Sequence, residues 1–412
     1  MTEGAYVAGM GCIVHGGIGC AAFHAHLREP RIEPSRIDLE HGHQGLLFAL
    51  DDSLDLEQRL RALGLSSALE ARLTGLGKRG SLTLQASLLA AAEAWAAANL
   101  EAGEDIGLIL AGNNLDPLAG YGAARDFALE DFAAPTRAMT WLDGHLLGAL
   151  AEAFGITGPG VQVGGSSAAG LIGTYQALVN MRADIAGTWL VVAPPMVLSP
   201  VEWSAFANVG ALAGLDDEGT ETQARYAPFD ASRRGFVPGH GAAALVLKRD
   251  DGQAGVVIAG GSVRMDAHAR MEPDSEGEAR AMQAALADAR LTPSDIDYVN
   301  AHGSGSIAGD QCEAEAVRRV FGEGGPAINA TKGLVGHCLT SAGLVEIVAT
   351  CLQMSGEYLH GNAALDTPLR ADLDFVGRHS VERPIRHAVC NSFAFGGVNA
   401  SMALSCRRSD SE

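Results

Sequence analysis

At 412 residues, with 47% hydrophobic and 19% charged side chains, the chain is long enough for two or three domains or one duplicated domain, and too apolar for extended disorder. A formal charge of −20 without a long Lys/Arg cluster excludes a nucleic-acid surface. Seven cysteines without CxxC spacing read as reduced thiols of a cytoplasmic protein, the first residues lack a secretory signal, and no apolar run is long enough for a membrane partner.

Residues 6–10 predict a strand that opens on Gly9, Gly11, Gly16 and Gly17, with a helix over 20–27. The glycine spacing is not a dinucleotide fingerprint, because Gly9-Met10-Gly11 lacks the third glycine in register. Residues 51–76 read as an inserted surface region of short helical pieces. Leu84, Leu88, Leu89, Ala92 and Trp95 then predict a periodic helix over 81–100, followed by a buried strand at 105–110. A short strand at 161–163 runs into Gly164-Gly165-Ser166-Ser167 and a helix over 167–181, and 187–192 is the next strand.

After the polar turn Lys248-Arg249-Asp250-Asp251-Gly252 the same order returns. Val257-Ile258-Ala259-Gly260-Gly261 matches Val7-Ala8-Gly9, and a helix over 277–290 leads to a strand at 295–300. A strand at 327–330 leads to a helix through 341–354, and 387–393 is a later strand. Two similar βαβ halves imply a pseudo-twofold α/β architecture, with an N-terminal half over 1–250, a C-terminal half over 251–406 and a polar tail at 407–412.

Ser167 sits at a strand-to-helix junction, where unpaired N–H groups and the helix dipole stabilise a nucleophile or an anion, although a plain N-cap serine fits the same residues. Three further stretches stand out: Asn300 to Asp310 with His302, Thr331 to Cys338 with Lys332 and His337, and Cys390 to Ala400 with Phe393 and Phe395. Each has a structural explanation by itself, but all fall at strand ends of the two halves, where α/β folds gather their sites. The pairs His24/His26 and His41/His43, and His337-Cys338, lack third and fourth ligands at zinc-like spacing, so no metal is expected.

Taken together, these stretches resemble the β-ketoacyl synthase family of the thiolase superfamily, over nearly the whole chain. The resemblance rests on Gly9-Met10-Gly11, Pro228-Phe229-Asp230 through Arg234-Gly235-Phe236, His302-Gly303-Ser304-Gly305-Ser306 with Gly309-Asp310 and Glu313, Lys332 to His337, and Asn391-Ser392-Phe393-Ala394-Phe395-Gly396-Gly397, all in the family's order. It implies the thiolase-like fold of five layers, αβαβα. The family's nucleophilic cysteine follows Gly-Pro and seven residues; counted from Gly158-Pro159 that position is Ser167, with Gly164-Gly165-Ser166 and Ala168-Ala169 departing from the usual flanks.

An alcohol, unlike a thiol with a pKa near 8.5, needs a dedicated base to attack a thioester, and the sequence offers Ser167 no obvious one. The resemblance therefore implies a decarboxylase that turns malonyl-acyl carrier protein into the acetyl form in polyketide β-branching, beside an HMG-CoA-synthase-like enzyme. His302 and His337 would stabilise the enolate, Lys332 and Glu346 would organise them, and Phe395 would gate the site and complete an oxyanion hole with Ser167. Ser304, Ser306, Phe393 and Phe229 would bind the substrate, with no cofactor beyond the phosphopantetheine arm of the partner acyl carrier protein. Lys78, Arg79 and Arg137 would dock that carrier, Gly210 and His240 depart from the family's pattern, and a homodimer is implied. The alternatives are a non-catalytic chain-length-factor-like partner, a ketosynthase or acyltransferase that uses Ser167 as nucleophile, and a docking scaffold.

Overall fold

Eleven strands form one mixed sheet among the described residues, and ten of them fall into two sets of five with the same layout. The first set is β1 (Ala5–Val14), β2 (Ile106–Ala111), β3 (Gly160–Val163), β4 (Thr188–Ala193) and β5 (Gly241–Arg249), in the spatial order β3-β2-β4-β5-β1. The second is β6 (Gly255–Met265), β7 (Tyr298–Asn300), β8 (Ala327–Asn329), β9 (His387–Ala394) and β10 (Val398–Arg407), in the order β8-β7-β9-β10-β6. In each, three parallel strands are followed by an antiparallel strand that returns beside the first. The two sets meet where Ala5 and Tyr6 pair with Ile258 and Val257, so the repeat read in the sequence is a pseudo-twofold in space. The computed structural model describes residues 4–40, 44–50, 54–78, 80–101, 105–214 and 226–408.

Six helices complete the layers: α1 (Leu82–Ala97), α2 (Gly144–Phe154), α3 (Ala169–Arg182), α4 (Ser275–Ala289), α5 (Ile307–Phe321) and α6 (Ala342–Gly356). α3 and α6 pack on each other between the two halves of the sheet, within a core that includes Leu171, Leu178, Leu344 and Ile347. One outer core joins α1 and α2 to the first half through Leu88, Trp95 and Phe154. The other joins α4 and α5 to the second half through Met282, Leu286 and Val317. Layered αβαβα, the fold agrees with the expectation. α6 is apolar around most of its circumference because it is covered on all sides, and Glu346 stands as a buried acid within it.

Glycine sets two close approaches. A Cβ on Gly9 or Gly11 would lie 2.1 or 1.9 Å from the carbonyl oxygens of Ala94 and Ala90, so the Gly9-Met10-Gly11 pattern lets α1 lie directly on β1. A Cβ on Gly170 would lie 2.4 Å from the backbone nitrogen of Leu344, so this glycine lets the first turns of α3 and α6 touch. That contact brings the residues just ahead of the two helices, Ser167 and His337, to one place.

Two expectations are corrected. Residues 56–77 are not a surface insertion: the helices Leu56–Ala62 and Ser67–Gly77 bury Leu60, Leu69 and Leu73 in the outer core of the first half. The polar tail does not start at 407, because Arg407 closes β10 and forms an ion pair with Asp250. Residues 409–412 lie outside the described residues. No helix among the described residues is long and apolar enough to cross a membrane.

Candidate active site

After β3 the chain turns through Gly165 at φ 146° and Ser166 at φ 50°, a left-handed conformation that is costly for serine. The turn leads into a single 3₁₀ turn, Ser166–Ala168, and then α3. No side chain caps α3, so the plain helix-cap reading of Ser167 does not hold. Its Oγ instead lies 3.1 Å from Nε2 of His337, a residue 170 positions away.

The partners of each imidazole fix its tautomer. Nδ1 of His337 accepts the backbone N–H of Leu339 at 3.1 Å, so the ring proton sits on Nε2 and is donated to Ser167 Oγ. Nδ1 of His302 faces Lys332 Nζ at 3.1 Å, and Nζ also donates to the His302 carbonyl at 2.7 Å and to Glu346. The donors of Lys332 thereby leave Nδ1 as an acceptor and the His302 proton on Nε2. Glu346 is completed by Ser392 Oγ at 3.4 Å. Lys332 and Glu346 form a buried ion pair, each 1% exposed, and burial pushes the Glu346 carboxyl up to about 7 against the pull of Lys332.

The loop that carries His302 is held from below by acids. Glu313 accepts the backbone N–H groups of His302 and Gly303, both at 2.8 Å, and the Asn391 amide at 3.2 Å. Asp310 accepts those of Gly305 and Phe229 at 3.0 and 2.7 Å. Ser306 caps α5 through Gly309 N–H and bonds Ser304 Oγ at 3.1 Å. These supports were visible in the sequence only as motif letters.

Ser167, His302, His337, Ser304, Ser306, Phe393 and Phe395 all line one cavity of about 480 Å³. The two imidazoles meet edge to face with centroids 5.5 Å apart. Asn399, within the stretch Cys390 to Ala400, lines it as well, as do Phe206, Val209, Met271 and Glu278, which were not singled out from the sequence. Phe229 does not line it. Its ring is 1% exposed, packs on Phe375 at 5.0 Å and lies beneath Gly303, so it shapes the loop from the core side and its substrate-binding role is withdrawn.

Lys78 and Arg137 are not among the lining residues, and Arg79, His41 and His43 lie outside the described residues. His24 stacks on Tyr358 while His26 meets the Leu334 carbonyl, so that pair diverges. His240 is tied to the segment before 51, its N–H to the Phe48 carbonyl and its Nδ1 to Leu50 N–H.

Burial and the Lys332 cation hold both imidazoles well below the usual histidine range, with His337 adding to the effect on His302. A group with a depressed pKa keeps its neutral form as the pH falls through the ordinary value and loses it only at the lower, folded-state pKa. The ring signals of His302 and His337, followed by NMR from about pH 7.5 to about pH 6, are expected to stay fixed across the range that spans the free imidazole value of about 6.5. Titration of either ring in that window contradicts the arrangement.

Comparison with known proteins bears on this geometry. Residues 3–253 match the family model "Beta-ketoacyl synthase, N-terminal domain" and residues 256–366 match "Beta-ketoacyl synthase, C-terminal domain". The polyketide biosynthesis malonyl-ACP decarboxylase PksF of Bacillus subtilis is 33% identical over 79% of this chain and 80% of its own length. Two solved structures share the fold: the ishigamide ketosynthase/chain length factor, with TM-score 0.85 and 23% identity over 99% of this chain and all of the other, and a type II PKS acyl-carrier protein in complex with its ketosynthase, with TM-score 0.81 and 22% identity over 99% and 100%.

Proposed function

This chain belongs to the β-ketoacyl synthase family, and from that premise we propose that it removes CO2 from malonyl-acyl carrier protein and releases acetyl-acyl carrier protein in polyketide β-branching. The observation that carries the reading is the pair of tautomer-locked imidazoles facing an alcohol where the family has a thiol. Cleavage of the bond between the malonyl carboxylate and Cα releases CO2 and sends the bond's electron pair onto the thioester oxygen, and Cα of the resulting enolate then takes a proton from a water molecule. Two neutral Nε2–H donors on buried rings stabilise the oxygen where the negative charge develops. Lys332 and Glu346 fix the His302 ring and thereby its donor. The substrate would arrive on the phosphopantetheine arm of an acyl carrier protein, and the acetyl product would serve an HMG-CoA-synthase-like enzyme.

Use of Ser167 as an acylated nucleophile is the nearest alternative, since His337 lies within reach of its hydroxyl. The ring opposes it: Nε2 carries the proton, and burial makes the imidazole a weak base. A silent chain-length-factor-like subunit would have no use for the buried Lys332, Glu346 and His302 assembly. Pairing with a second copy is supported by β3, an exposed sheet edge, and by helix Pro117–Glu130, which buries none of its side chains and leaves Phe127 and Leu129 open, next to exposed Phe132 and Trp141.

Intact mass of the protein during turnover of malonyl-carrier protein tests the choice. No acyl adduct is expected, and Ser167→Ala is expected to keep its rate within about tenfold, the upper range for loss of one neutral hydrogen bond. A stable acyl-serine that forms and decays at the turnover rate would overturn the reading in favour of the nucleophile.

A further inference from the structure

Glu278, on the first turn of α4, is an acid the mechanism does not use, yet it lines the same cavity. It is 1% exposed, its Oε2 has no hydrogen-bond partner, and it makes no ion pair among the described residues. Cys312 of α5 is a neighbour of the carboxyl, and Glu313, Asp266 and Asp274 surround it with negative charge. Arg280, two residues on and on the exposed face of α4, turns to Asp266, Asp274 and Glu276. Asp274 already occupies the N-terminus of α4, accepting Glu276 N–H at 3.0 Å. Burial without a paired cation and among other acids pushes this carboxyl well above the usual range, toward its neutral form. In that form it is a hydrogen-bond donor at the cavity wall whose Oε2 has no partner among the described residues.

Its position assigns the acceptor. Cys312 is one helical turn beyond Ala308, and Ala308, Gly309, Ser304 and Ser306 line the cavity together with Glu278. An arm whose thioester sits between His302 and His337 shares one cavity with these residues and Glu278. We propose that Glu278 is a substrate-binding residue that donates its carboxyl O–H to an amide carbonyl oxygen of the carrier's pantetheine arm. The assignment rests on the reading that such an arm enters the cavity, but not on what reaction follows.

Calorimetric titration with pantetheine tests it without turnover, using the wild type, Glu278→Gln and Glu278→Leu. Glutamine keeps a donor in the same position and is expected to bind within about threefold of wild type; leucine removes it and is expected to bind about tenfold more weakly, the usual effect of one lost hydrogen bond. If Glu278→Leu does not fold, Glu278→Met, closer to glutamate in shape, carries the same comparison. Equal affinity of the leucine and wild-type proteins, glutamine as weak as leucine, or no pantetheine binding by the wild type would each overturn the assignment. Binding with this pattern but without CO2 release from malonyl-carrier protein would remove the decarboxylation reading and leave Glu278 as the arm's partner.

Discussion

His302→Ala and His337→Ala are each expected to lower the rate of malonyl decarboxylation about 10²–10³-fold, with KM for the carrier-bound substrate little changed, while Ser167→Ala is not. The expectation follows from where charge appears. The malonyl ground state carries its charge on the departing carboxylate, and only the transition state places it on the thioester oxygen, so donors aimed at that oxygen act on kcat. Neither ring is replaceable by the other, because their Nδ1 atoms are committed to different partners, Lys332 Nζ and the Leu339 N–H. Steady-state kinetics on the three variants decides the matter. A larger loss in Ser167→Ala than in either histidine variant would return the chemistry to the hydroxyl.

Lys332→Met is expected to have the second-largest effect, on stability as well as on rate. The substitution leaves Glu346 in a fully buried position without its cation, and breaking a buried pair in this way costs about 3–5 kcal/mol. Glu346 can escape part of that cost by taking a proton. Its carboxyl is already raised by burial, and a raised carboxyl favours the protonated form, so stability falls as the pH rises from the unfolded-state value through the folded one. Denaturant unfolding should therefore find Lys332→Met weaker at about pH 8 than at about pH 6, and the double variant Lys332→Met/Glu346→Gln should recover much of the loss. A single variant as stable as the wild type at both pH values would contradict the buried pair.

The duplication was legible because both halves repeat the same order of apolar strands and periodic helices, and that order became the matching strand layouts β3-β2-β4-β5-β1 and β8-β7-β9-β10-β6. The site was legible where its chemistry lies in contiguous letters: His302 follows β7, and Lys332 to His337 follow β8. What it could not disclose is which of these letters meet. The Ser167–His337 contact spans 170 residues and depends on Gly170 letting two helices touch. The tautomer of His337 is set by a backbone N–H, which no side-chain pattern encodes. Phe229 belonged to a motif, yet its left-handed backbone at φ 61° turns the ring under Gly303 and away from the cavity. Glu278 went unnoticed because an acid in the first turn of an amphipathic helix ordinarily faces water and the helix dipole.

The central claim is tested most directly by incubating the protein with malonyl-carrier protein alone and following the mass of the carrier. The account predicts loss of one CO2 to give acetyl-carrier protein, at a rate kept by Ser167→Ala and lost in His302→Ala and His337→Ala. A malonyl-carrier protein that the wild type leaves unchanged would contradict it.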